Sequence, residues 1–248
     1  MYRLTEKQGV TLALLAVLAL AVAFWQGSSD IEARWAGVPP VPSMRTATLM
    51  TLGDRELAYR SGALTLQMLG DGGGRVVPLK EYDYHKLGAW FDVLDELDPA
   101  SDHVPMIAAY YFGASYVPAD IAVIVAYLSR IGDSPAGQKW RWLAHAAYLA
   151  RHRMDNLDLA LDLAYKLTRI QPLSGKPLPI WARQMPAFLL NAQGDKAASR
   201  LLIEEMLSSA DDLHPNEVNF MKGYLVEQLG VSPQEVDQIL RLRHSSAQ

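Results

Sequence analysis

The chain has no cysteine among its 248 residues. That excludes disulfides, thiolate nucleophiles, Cys-ligated zinc and iron–sulfur clusters, and it leaves the redox compartment unread. An excess of basic charge is also missing. With 23 Lys and Arg against 27 Asp and Glu, a net −4 supplies no basic field for phosphates, so no nucleic-acid partner is expected. Alternating strand patterns are nearly absent. The six histidines form no HExxH or HxxxH pair, and no serine lies in GxSxG. The glycine-rich run at 70–74, followed by Arg75, lacks the Gly-Lys-Ser/Thr that would make it a phosphate loop, and reads as a flexible turn. No catalytic residue, cofactor, metal or small-molecule substrate is therefore expected.

A long apolar run is present. Val10 to Trp25, VTLALLAVLALAVAFW, holds no charge, and with its flanks approaches the ~20 residues that span a bilayer core. Arg3, Lys7 and the N-terminal amine precede it, while Asp30, Glu32 and Arg34 follow. The positive-inside bias then puts the N-terminus in the cytoplasm and the bulk of the chain beyond the membrane. Tyr2 and Trp25 bracket the run where interfacial aromatics sit. A cleaved secretory signal is the competing reading, because Ala21-Val22-Ala23 fits a small-residue cleavage site. A third possibility gives the helix a packing role through Ala13, Ala16, Ala19, Ala21 and Ala23. Residues 1–27 are thus the expected anchor. Residues 28–53, containing Val-Pro-Pro-Val-Pro, are the expected stiff linker.

Residues 54–244 alternate apolar stretches of period 3.6 with Pro, Gly and Asp breaks. Helices are predicted near 54–68, 83–97, 104–115, 118–132, 136–152, 156–170, 178–193, 195–209, 214–229 and 233–243, with Arg75 to Lys80 extended. The fold class is all-α. Pro99, Pro135 and Pro172 fall 36 and 37 positions apart, each after a helical stretch, which matches a two-helix repeat. The clearest units are Gly194-Asp195 before KAASRLLIEEML, with small Ala198 and Ser199, and Asp155-Asn156 before LDLALDLAYKL, with small Ala160.

On these turn-then-helix units, the Leu-Asp-Pro at 97–99 and the Trp-bearing helices of Trp142 and Trp181, the chain resembles tetratricopeptide-repeat-like proteins. Through LQMLGDGGGRVVPLKEYDYHKLGAWFDVLDELDP, WLAHAAYLARHRMDNLDLALDLA and WARQMPAFLL it is more loosely similar to a group of membrane-anchored helical-repeat proteins of proteobacteria. The resemblance spans about 54–230. It implies an α-solenoid of antiparallel helix pairs facing the periplasm from a single-pass inner-membrane anchor, and carries over no catalytic residue. The consensus glycine and tyrosine positions of first helices are mostly unmet, so no peptide-groove residue transfers.

Large aromatics on two stretches, Tyr110, Tyr111, Tyr116 and Trp140, Trp142, Tyr148, together with Trp181, are the candidate partner-binding residues. Such amphipathic side chains dominate interaction hot spots, although much of this surface would be used in stacking. His145 and His152 share a helix face and read as part of a basic stripe with Lys139, Arg141, Arg151 and Arg153. The expected role is a non-catalytic scaffold, an accessory or assembly subunit binding other proteins of a membrane complex. The alternative is a periplasmic or wall-acting enzyme, with a site built from Asp92, Asp95, Glu96 and Asp98 plus His85 or His103.

Overall fold

The computed structural model describes residues 6–28, 37–70, 77–209 and 213–246. The chain divides into two units, Met1–Ala36 and Gly37–Gln248. In the first, α1 runs Glu6–Ser28, and its segment Val10–Gly27 is long and apolar enough to cross a membrane. Every side chain described in that segment is exposed, so no protein core accounts for its apolar surface.

The second unit is all-helical, with no strand among the described residues. Its helices are α2 Met44–Met50, α3 Arg55–Gln67, α4 Tyr84–Leu97, α5 His103–Met106, α6 Pro118–Gly132, α7 Trp140–His152, α8 Leu157–Thr168, α9 Ile180–Ala192, α10 Lys196–Ser209, α11 Pro215–Glu227 and α12 Pro233–Ser246. Their starts are set locally. Asp54, Asp83, Asn156 and Asp195 each accept a hydrogen bond from the backbone N–H three residues on, which satisfies a donor the first turn leaves free. Pro118 and Pro215 sit at first helical positions, where a missing N–H costs nothing.

Four expectations differ from what is observed. The predicted single helix 104–115 is α5 followed by a π turn at Ile107–Tyr111 and a 3-10 turn at Phe112–Ala114. There the Phe112 carbonyl accepts the Tyr84 hydroxyl at 2.9 Å instead of continuing an α ladder. Helix α7 starts at Trp140 and not at 136, because Gly137 takes a φ of +57° in the preceding turn. Leu79–Glu81 forms a 3-10 turn where extended chain was expected, and the glycine run's residues 71–74, with Arg75, lie outside the described residues. Finally, the part of the expected linker from 37 onward is docked on the helices. Val38 is buried, the Trp90 indole N–H donates to the Pro39 carbonyl at 2.9 Å, and Ser43 caps α2. A Pro-rich strand offers carbonyls but few N–H groups, so a side-chain donor can hold it as well as a spacer could leave it free. Residues 29–36 of that linker lie outside the described set.

Within the second unit most helices pack on a chain neighbour, most closely α6 on α7 and α7 on α8. Small residues permit this approach: Ala146, Ala147, Ala150, Ala160 and Ala164 are buried, and a Cβ on Gly132 would fall 2.3 Å from the Leu143 backbone nitrogen. Hydrogen bonds also join groups 35 to 42 residues apart. Tyr59 and Ser101, Asp95 and Arg130, Asp102 and Trp142, Ser129 and Lys166, and Asp158 and Gln193 are separated by 42, 35, 40, 37 and 35 residues. The Leu173 N–H donates to the Pro135 carbonyl at 3.0 Å, so two of the turns expected to be equivalent touch. Some helices therefore also meet the one after next, as α4 meets α6, α6 meets α8 and α10 meets α12. The apolar interior forms two clusters, one from Val38 to Leu189 and one from Ala187 to Val236, and α9 contributes to both.

Candidate partner-binding face

Asp102, just before α5, fixes α7 in place. Its carboxylate accepts the Trp142 indole N–H at 2.7 Å and the Arg141 guanidinium at 2.9 Å, and Lys139 Nζ lies 3.2 Å away. Lys139, itself buried, also donates to the Ser101 carbonyl at 2.5 Å. Burial pushes the Asp102 carboxyl up, but hydrogen bonds from Trp142 and Lys139 and the charges of Lys139 and Arg141 outweigh it and hold the group below the usual carboxylate range. One turn further on, His145 Nε2 lies 3.3 Å from the Ala109 carbonyl, so the ring donates from that nitrogen.

On this base stands a ladder of rings. Tyr110 meets His145 edge to face at 4.7 Å, His145 lies 5.6 Å from Tyr148, and Tyr148 lies 4.7 Å from His152. Positions 145, 148 and 152 share one helical face, which is why three rings from one helix line up. Burial holds His145 below the ordinary histidine value, against the opposing Ala109 carbonyl. Burial, then the Arg151 charge, does the same for His152. Both shifts favour the neutral imidazole rings. Cations border it, with Arg141 over the Trp142 ring at 5.7 Å and Arg153 over the Tyr116 ring at 5.2 Å.

The seven candidate aromatics do not share one fate. Tyr110 and Tyr148 belong to the ladder, and Tyr116 is exposed beside Arg153. Trp142, at 5% exposure, is its buried base. Trp140 is also buried, and packs at 5.6 Å against the exposed Trp181 of α9. Tyr111 is exposed but leans on the core ring of Phe112 at 5.0 Å. His145 and His152, read as part of a basic stripe, are ring partners of Tyr148; the 145/148/152 spacing was the available signal. A further group on α9 and α11, Phe188, Phe220 and Tyr224, was missed, though the i, i+4 pair 220/224 announces it. Beyond residue 100, the exposed aromatics Tyr110, Tyr111, Tyr148, Trp181 and Phe220 lie on α7, α9, α11 or the turns continuing α5, with Tyr116 just beyond. Those of α4 and α6, namely Tyr84, Trp90, Phe91 and Tyr127, are buried.

The acidic end of α4 is otherwise engaged. Arg130 pairs with Asp92 and, at 3.3 Å, with Asp95. Burial pushes the Asp95 carboxyl up, with Arg130 opposing. Asp98 accepts from the backbone of Ala100 and Ser101 at 3.1 and 3.2 Å, which ends the helix in a turn. A cleft of about 650 Å³ lies elsewhere, between Tyr165, Ile170, Lys176, Arg183, Leu202 and Glu205; neither the acidic group nor His85 or His103 lines it. Among the described residues no group of three or more His, Asp or Glu is placed to hold a metal. Comparison with protein families, curated proteins and solved structures finds no match for this chain.

Proposed function

We propose that the protein is a membrane-anchored, non-catalytic scaffold, with α1 as a single inner-membrane span, N-terminus cytoplasmic, and the helical unit as periplasmic repeats of tetratricopeptide type that bind other subunits of a membrane complex. The observation that carries this reading is the ring ladder Tyr110–His145–Tyr148–His152, in which Tyr110 and Tyr148 are exposed and His145 is half-buried, pinned from beneath by the Asp102 network. Rigid aromatics lose little conformational freedom when covered, and such anchors in a cationic rim are what protein interfaces concentrate. The repeat reading is supported by contacts that recur at separations of 35 to 40 residues, near the proline spacing of 36 and 37, since stacked helix pairs bring equivalent helices side by side. The segregation of exposed aromatics onto alternate helices supports one binding face.

Purification of the full chain from membranes in mild detergent tests this. The native chain is expected to carry stoichiometric protein partners, and Tyr110→Ala with Tyr148→Ala is expected to release them while helicity is kept. A native chain that always runs as a lone monomer contradicts the proposal.

A further inference from the structure

The α2–α3 corner carries apolar surface that helix packing does not use. Leu49 and Met50 close α2, Leu52 forms the turn and Leu57 opens α3; all four are exposed, Leu52 at 98%. Leu64 and Met68, seven and eleven positions beyond Leu57, are exposed too and return to the same side of α3. The other side of α3, with Ala58, Tyr59, Ala63 and Leu66, is buried in the core. A helix at the surface of a soluble unit turns polar residues outward, and α3 keeps an apolar line there instead. Leu52 is the sharpest case. It has a φ of +56°, a left-handed conformation ordinarily filled by Gly or Asn. The turn is held firmly: the Gly53 N–H donates to the Thr48 carbonyl and the Thr51 hydroxyl to the Asp54 carbonyl, both at 2.7 Å. A disfavoured backbone thus holds a bare leucine at the outermost point of a rigid corner.

We infer that this corner docks on the lipid surface of the bilayer that α1 crosses, with Leu49, Met50 and Leu52 entering the boundary between headgroups and acyl chains. The inference rests on reading α1 as a membrane span. Chain length favours lipid over any other occupant. Only eight residues, 29–36, separate α1 from Gly37, and extended chain of that length covers roughly 30 Å, so the start of the helical unit stays near the membrane surface. Charge does not oppose it: Arg60 pairs with Glu56 and Arg55 donates to the Glu96 carbonyl, and Arg45 leaves the corner with one positive charge in excess over Asp54 and Glu56.

The chain has no cysteine, so single variants Leu15→Cys, Leu52→Cys and Leu173→Cys can each carry one nitroxide without background. The full chain is reconstituted in vesicles of phosphatidylethanolamine and phosphatidylglycerol, with circular dichroism confirming native helicity. Collisional access to oxygen and to a water-soluble nickel chelate is then read. The inference predicts a lipid-depth signal at 15, loss of nickel access with retained oxygen access at 52, and full nickel access at 173. Equal nickel access at 52 and 173, with 15 in lipid, overturns the docking and leaves the anchor standing. A label at 52 shielded from both reagents identifies a protein occupant and overturns it as well. Nickel access at 15 overturns the anchor reading itself.

Discussion

At the scale of single residues, Gly132 is decisive because it ends α6 where the backbone of α7 passes. A side chain there meets the Leu143 nitrogen and Cα at 2.3 and 2.8 Å, and backbone cannot rotate aside as a flexible side chain would. Gly132→Ala is expected to destabilise the helical unit by about 2 kcal/mol or more, read from urea unfolding. Gly137→Ala, at an exposed turn with open space for a Cβ, is expected to cost less, because only its backbone conformation opposes the change. His145 sets a pH dependence that His152, lowered in the same direction, shares. Its folded-state value lies below the ordinary 6.5, so the unfolded chain binds the proton more readily. Stability is therefore full above that value and declines as pH falls beneath it. Between roughly pH 7 and pH 5 the melting temperature should drop, and His145→Gln, which keeps a donor for the Ala109 carbonyl, should drop less. Asp102 does not confuse the measurement. Its folded value lies below 3.8, so its contribution is kept above the unfolded carboxylate value and lost only as pH falls through the lower, folded one.

At the scale of elements, the starts capped by Asp54, Asp83 and Asn156 were legible, and Pro118 marked the start of α6, whereas α2, capped by Ser43, was hidden in the expected linker. The π and 3-10 turns after α5 were not legible. They depend on Tyr84, 28 residues away, taking the Phe112 carbonyl, and a window along the chain does not contain that partner. The same reason hid the docking of Val38 and Pro39, which is decided by Trp90, 51 residues on. It has a direct consequence for where the helical unit begins. A soluble version starting at Gly37 is expected to unfold cooperatively, whereas one starting at Asp54 loses the Trp90 hydrogen bond and the burial of Val38. The shorter version should melt lower, by an amount corresponding to about 2 kcal/mol, in a calorimetric scan.

At the scale of the whole molecule, the all-helical class and the apolar N-terminal helix were legible because both are matters of period and composition. The candidate face was legible only in part. Aromatic residue type alone could not separate Trp140 and Trp142, which are buried, from Tyr110 and Tyr148, which are not. That division follows from which side of α7 faces α6 and α8. Nor could histidines be recognised as ring partners until the spacing 145, 148, 152 was seen on one helix with Tyr110 above it. Of the expected basic stripe, Lys139 is buried under Asp102, while Arg141 and Arg153 stack on Trp142 and Tyr116.

The central claim is that this surface receives a protein partner at the membrane. Photo-crosslinking in intact membranes addresses it most directly, with a photoreactive amino acid placed at Tyr148 and, as a control, at exposed Leu201 on α10. The account predicts a discrete protein adduct from position 148 and none from position 201. No adduct at 148, or the same products from both positions, would contradict it.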